Sequence, residues 1–182
     1  MFVGPSIRPA SGEVRKIREK LIYISMGTVN NDMLHLYKRC IAALAGTKHQ
    51  VILSVGGLVS IDAFGDLPEQ IAAFPQVDQI AVLQKADVFL AHCGMNSVSE
   101  SLYFGVPLIM LPQTKEQEGV AERVSQLGAG IRLKRTDEAA ISNAVKAALL
   151  DESLRKSAAA IADGFRRCSG PGGAADKILC MI

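Results

Sequence analysis

From Leu21 onward, short apolar runs alternate with stretches whose apolar positions recur every three or four residues. Leu21-Ile22-Tyr23-Ile24 is the first run, stopped by Gly27 and Asn30-Asn31, and it predicts a buried strand. Met33, Leu36, Tyr37, Cys40, Ile41 and Leu44 then follow at helical spacing. Asn30, Asn31 or Asp32 is the expected N-cap there, and Gly46 ends the run. Val51-Ile52-Leu53 predicts a second strand closed by Gly56-Gly57, and residues 71–74 predict a weaker third beyond a polar loop. A short helix is expected over 80–85, a strand over 88–91, a helix over 96–104, and a strand over 108–111 between Pro107 and Pro112. Val120, Val124 and Leu127 mark one face of a helix over 117–127, and residues 130–133 make a short last strand. Ile141, Val145 and Ala148 mark another helix, and Leu154, Ala158, Ile161 and Phe165 a further one.

Strands alternating with helices imply βαβ units and a parallel sheet. The chain is therefore read as α/β, a Rossmann-like doubly wound parallel sheet of about six strands. The 182 residues fit one such domain. Residues 1–20, with Pro and Gly first and charges after, read as an interdomain linker or arm, and 21–182 as the ligand-binding domain. In doubly wound sheets ligands sit beyond the carboxyl ends of the strands. That rule selects the loops at 25–30, 54–60, 92–97 and 112–117.

The formal net charge is +2 and no basic run carries interleaved aromatics, so neither nucleic acid nor a membrane surface is an expected partner. No apolar stretch approaches the ~20 residues of a spanning helix, and residues 1–20 lack the apolar core of a signal peptide. Cys40, Cys93, Cys168 and Cys180 form no C-x-x-C pair, which removes zinc and redox motifs. They read as reduced thiols of a cytoplasmic protein.

Three of the selected loops carry chemistry. Ser25-Met26-Gly27-Thr28 follows the first strand directly; glycine permits close backbone approach and Thr28 offers a hydroxyl, so the loop can cradle a phosphate. Taken alone, a plain strand-to-helix turn explains it better, and neither G-x-G-x-x-G nor a Walker lysine is present. Ser54 opens the loop after the second strand. His92-Cys93-Gly94-Met95-Asn96-Ser97-Val98-Ser99-Glu100 links an apolar strand to a helix, whose first N–H groups and dipole favour an anion. Gly94 lets a phosphate approach, Asn96 and Ser97 can cap the helix or bind the anion, and His92 can donate to a phosphate oxygen. Glu100, one turn on, can accept from a ribose diol. Each alone has a plainer reading, a buried histidine or a cap; their convergence at the ligand edge shifts the balance. Glu116 and Gln117, in the third loop, can hydrogen-bond sugar hydroxyls or simply decorate a helix start.

Residues 74–130 resemble the donor-binding signature of the UDP-glycosyltransferase family, of the bacterial macrolide and natural-product type. The matching stretch runs from Gln79-Ile80-Ala81-Val82-Leu83 through Ala86-Asp87, His92-Cys93-Gly94 and Asn96-Ser97 to Glu100. It continues through Gly105-Val106-Pro107, Pro112-Gln113 and Glu116-Gln117 to Gly128-Ala129-Gly130. Ser25-Met26-Gly27-Thr28 and Gly4-Pro5-Ser6 extend it to almost the whole chain. The resemblance implies the C-terminal half of a two-domain GT-B fold. It implies that His92, Asn96, Ser97, Gly94 and Thr28 hold the diphosphate of a UDP-sugar, UDP-glucose being the expected donor. Glu100 would hold the ribose, Gln79 would lie at the nucleoside, and Glu116 and Gln117 would hold the sugar. It implies inverting transfer to a small-molecule hydroxyl without a metal or other cofactor.

Many family members carry Trp where this chain has Gln76, and this chain has no Trp, so base stacking must come from elsewhere. Asp78 replaces a common Pro, and Met95 an aromatic. The family's general base belongs to an N-terminal acceptor-binding domain or subunit, the expected partner. His35 and His49 do not match it, so this chain is expected to bind donor without efficient transfer. An exposed cleft face could also drive self-association. Alternatives are a non-catalytic nucleotide-binding module, a nucleotide-sugar epimerase of the same fold, and a ligand-free structural domain.

Overall fold

A computed structural model describes residues 3–27 and 32–180. Six strands, β1 (Leu21–Ser25), β2 (Gln50–Ser54), β3 (Ile71–Phe74), β4 (Val88–Ala91), β5 (Leu108–Met110) and β6 (Gly130–Arg132), form one sheet in the order β3-β2-β1-β4-β5-β6. Every pairing is parallel, with Tyr23 beside Ile52 on one side and Phe89 on the other. The chain winds outward from β1 to β3, then returns to β1's other edge at β4. The switch point therefore lies between β1 and β4, where the loops after the two strands part and leave a crevice.

Among the described residues, seven α-helices complete the layers: α1 (Leu34–Leu44), α2 (Gln79–Leu83), α3 (Met95–Tyr103), α4 (Lys115–Gln126), α5 (Glu138–Leu150), α6 (Glu152–Arg166) and α7 (Gly170–Leu179). Successive strand residues face opposite sides. Ile22 and Ile24 of β1 join the core shared with α1 and α5, while Leu21 and Tyr23 join the core that includes Val98 and Leu102 of α3. Burial on both faces is why these strands read as continuous apolar runs rather than as alternating patterns.

Three local readings change. The N-cap of α1 is Met33, with no side-chain cap bond; Asp32 lies one residue outside, and Asn30 and Asn31 fall outside the described residues. The helix predicted from 117 begins at Lys115, because Thr114 caps it. The polar loop after β2 holds a 3-10 turn, Ile61–Phe64; besides these three, α7 forms over a stretch for which no element was predicted, starting Gly170-Pro171-Gly172-Gly173. Proline sits in its first turn, where a missing N–H is harmless. The Gly170 N–H donates to the Val3 carbonyl at 2.7 Å, tying this helix to the N-terminal arm.

That arm has no regular structure yet lies along the domain. The Gln50 side chain accepts from the Ile17 N–H at 2.9 Å and donates to the Arg15 carbonyl at 3.1 Å. Asp87 accepts from Lys16 Nζ at 2.6 Å and from the Leu21 N–H at 2.7 Å, and Val14 packs on the core. Cys40, Cys93, Cys168 and Cys180 are free thiols. Among the described residues, no helix is long and apolar enough to cross a membrane.

Candidate functional site

A cleft of about 750 Å³ opens at the carboxyl edge of the sheet, over the switch point. Its walls include Ser25, Gly27, Ser54, Gln79, His92, Gly94, Asn96, Ser97, Glu100 and Glu116, so loops remote in sequence converge there. Thr28 lies outside the described residues. Gln117 is not among the lining residues: its Oε1 accepts from the Gln113 N–H at 2.8 Å, while its own N–H donates to Thr114 Oγ1 at 3.3 Å. This near-reciprocal cap is legible in the sequence as Thr-x-x-Gln ahead of a helix. Tyr37 of α1 fastens two loops of the cleft together. Its hydroxyl accepts from the Met26 N–H at 3.2 Å and donates to the Ser54 carbonyl at 3.3 Å.

His92 stands at the end of β4 with its ring between two glycines. A Cβ on Gly27 would lie 2.6 Å from its Cε1, and one on Gly94 would lie 2.6 Å from its Nε2. Gly94 was expected to admit a phosphate; what its missing side chain admits in this structure is the imidazole. Between them Cys93 takes φ 67°, the one non-glycine residue in the left-handed region among those described. Strain of this kind, of about 1–3 kcal/mol, gathers at functional loops. Here it folds the Gly94 backbone onto the histidine. The Cys93 thiol is buried, which pushes its pKa up to about 12 and leaves it protonated.

Burial lowers the His92 pKa, and the nearby Ser25 backbone counters this in part, though no hydrogen bond of normal geometry reaches the buried Nδ1. The imidazole is thus a neutral N–H donor near pH 7. Because its folded pKa lies below the ordinary 6.5, the neutral ring contributes stability above that pH, and the contribution disappears as pH falls through the folded value. Burial and Lys48 lower the pKa of His49 likewise. Thermal midpoints should therefore fall between about pH 7 and pH 5. A His92→Gln variant should fall less steeply, and equal slopes would sink the assignment to His92.

The α3 helix starts at Met95 behind Gly94, which supplies no side-chain cap, and no acidic residue occupies its first turn. Asn96 and Ser97 lie inside that turn rather than at the cap position. The first N–H groups are accordingly open to the cleft. One turn further, the Gln79 Nε2 donates to Glu100 Oε2 at 2.6 Å and approaches Ser97 Oγ at 3.3 Å, while Tyr23 OH donates to Gln79 Oε1 at 3.2 Å. Among the described residues, no other hydrogen bond reaches the Glu100 carboxylate, whose second oxygen is left for an incoming donor.

Sequence reasoning missed Arg8. The guanidinium lines the cleft, donating to Asp78 Oδ1 at 2.6 Å and to the Pro9 carbonyl at 3.1 Å. Asp78 also caps α2. The one sequence cue is that acid at a helix start, where its relatives commonly have proline. His35 is exposed on α1, and His49 precedes β2 at the opposite end of the sheet, so neither approaches the cleft. No group of three or more His, Cys, Asp or Glu gathers into a metal site among the described residues.

Residues 38–179 match the family described as erythromycin biosynthesis protein CIII-like, C-terminal domain. The chain is 37% identical over 194 residues to the NDP-glycosyltransferase YjiC of Bacillus licheniformis, with 100% of this chain and 48% of that protein aligned. It is 32% identical over 186 residues to an uncharacterized UDP-glucosyltransferase, YojK, of Bacillus subtilis, covering 98% of this chain and 46% of that one. The crystal structure of the kitacinnamycin glycosyltransferase superposes with a TM-score of 0.92 at 29% identity, over 100% of this chain and 49% of that one. The chain spans about half the length of the curated relatives it matches.

Proposed function

The chain belongs to the erythromycin biosynthesis protein CIII-like C-terminal domain family of glycosyltransferases, and from that premise we propose that its cleft binds a UDP-sugar, UDP-glucose foremost, as the donor half of an inverting transferase. One observation carries the reading. The uncapped start of α3 with His92, and the Gln79–Glu100 pair one turn along, occupy a single cleft. Backbone N–H groups and a neutral imidazole suit a diphosphate, and a carboxylate oxygen suits a ribose diol. The two Bacillus relatives, named as a UDP-glucosyltransferase and an NDP-glycosyltransferase, support it.

Glu116 also lines the cleft, which supports a contact with the sugar. The leaving diphosphate would be stabilised by the helix donors and His92, without a metal. Attack on the anomeric carbon needs a base to accept the acceptor's proton, and that base would come from an acceptor-binding domain or subunit facing this cleft. Leu58, on the loop after β2, and Met95, the first residue of α3, are exposed beside the cleft, 65% and 55%, and fit an apolar contact with such a partner or with a second copy. By itself the chain would bind donor and transfer little.

Calorimetric titration with UDP, UDP-glucose and dTDP tests the reading. UDP should bind about tenfold more tightly than dTDP, the worth of one hydrogen bond to a charged group. Glu100→Ala should abolish most of that difference, and UDP-glucose should gain over UDP through Glu116. A chain that binds none of the three would overturn donor binding and favour a structural domain.

A further inference from the structure

The Glu100 carboxylate does not stand alone; it is one end of a relay that begins in the floor of the cleft, at Tyr23. Tyr23 sits on the central strand, 1% exposed, its ring stacked on Phe89 with centroids 4.6 Å apart. The stacking fixes the ring, so its hydroxyl is a rigid point in the cleft floor. That hydroxyl lies 3.2 Å from Gln79 Oε1, and the Gln79 amide reaches Glu100 Oε2 at 2.6 Å and Ser97 Oγ at 3.3 Å.

A glutamine amide has two orientations that fill the same space and exchange its oxygen and nitrogen. In one, Gln79 gives its N–H groups to Glu100. In the other, its oxygen would face a carboxylate at the same close range, acceptor against acceptor. Glu100, which can only accept, selects the first orientation, and the buried phenol holds the amide there by donating its O–H to the amide oxygen. Burial keeps that phenol protonated by pushing its pKa well up, against a smaller opposing effect of the Ser25 and Ser54 side chains.

Resting on the proposed nucleotide site, we infer that Tyr23 is a positioning residue for ribose recognition. Through Gln79 it holds Glu100 so that one carboxylate oxygen is occupied and the other faces the diol. Tyr23 makes its contribution without touching the sugar. It acts on how well the site distinguishes a ribose from a deoxyribose, not on diphosphate binding.

The test compares UDP with 2′-deoxy-UDP by calorimetry on the unmodified chain, Tyr23→Phe, Gln79→Met and the double variant. Phenylalanine keeps the stack on Phe89 and removes only the O–H. UDP affinity should fall about fivefold to tenfold in Tyr23→Phe, 2′-deoxy-UDP affinity less than twofold, so that the preference for the ribose collapses. Gln79→Met should lose the same preference, and adding Tyr23→Phe to it should change the ratio no further. An unaltered ratio in Tyr23→Phe overturns the inference, whether both affinities fall together or neither moves. So does a further loss in the double variant. Failure of the unmodified chain to bind UDP would instead remove the nucleotide site itself, and the relay's role with it.

Discussion

Gly94→Ala should weaken UDP binding by roughly 10-fold to 100-fold, as much as His92→Ala does, although it adds only a methyl group. Gly94 has φ −59° and ψ 137°, values that alanine adopts without strain. The new Cβ would fall 2.6 Å from His92 Nε2, well inside van der Waals contact. The loop is already committed to its path by the left-handed Cys93 and by the start of α3, so the imidazole is the group that moves. Once displaced, it no longer presents its N–H to the proposed diphosphate site, and a donor to a charged oxygen is worth about 1.5–3 kcal/mol. The two substitutions remove one interaction by two routes, so the double variant should bind no worse than either single one. Gly27→Ala attacks the opposite face of the same ring, but at φ 83° it also strains the backbone and should lower the thermal midpoint as well. Calorimetry on the four proteins checks this. Additive losses, or full affinity in Gly94→Ala, would mean that His92 does not contact the nucleotide.

The order and type of the sheet elements were legible because β1, β2, β4 and β5 are built on short apolar runs, and the long helices repeat their apolar residues at helical spacing. The start of α3 and the acid one turn later were legible together because they lie within a single segment. Long-range pairings were not legible. Nothing in the sequence joins Tyr23 to Gln79, or Arg8 to Asp78, which are 56 and 70 residues apart. Gln117 shows the converse. Its position invited a ligand role, yet a backbone N–H four residues away takes its side-chain oxygen. The α7 helix escaped notice because glycine and proline signal a break by local propensity, whereas proline in a first turn is compatible with a helix start and the tie to Val3 spans the chain.

Asp78→Ala should lower stability by about 2–3 kcal/mol, which for a chain of this length is a fall of about 5–10 °C in the thermal midpoint. The carboxylate performs two tasks. One oxygen caps α2, accepting from the Ile80 N–H at 3.1 Å and the Ala81 N–H at 3.4 Å. Loss of a cap costs about 1 kcal/mol. The same oxygen takes Arg8 at 2.6 Å, and the other takes the Ser11 hydroxyl at 2.7 Å and the Ser11 N–H at 2.5 Å. Those bonds hold the N-terminal arm against the cleft. The Ser11 bonds contribute about 1–2 kcal/mol, and the Arg8 pair adds little because Arg8 is half-exposed and solvent screens it. Arg8, and after it the Ser11 bonds, keep the Asp78 carboxyl well below its ordinary 3.8. Its stabilisation is therefore complete above that pH and is lost as pH falls towards the folded value, so the gap between the parent and Asp78→Ala should close in acid. Arg8→Ala, which removes one exposed partner and leaves the cap, should move the thermal midpoint far less than Asp78→Ala yet still weaken nucleotide binding, since the guanidinium lines the cleft. Thermal melts at neutral and acid pH separate the two variants. A fall of under about 2 °C for Asp78→Ala would mean that Asp87 and Gln50, not Asp78, hold the arm in place.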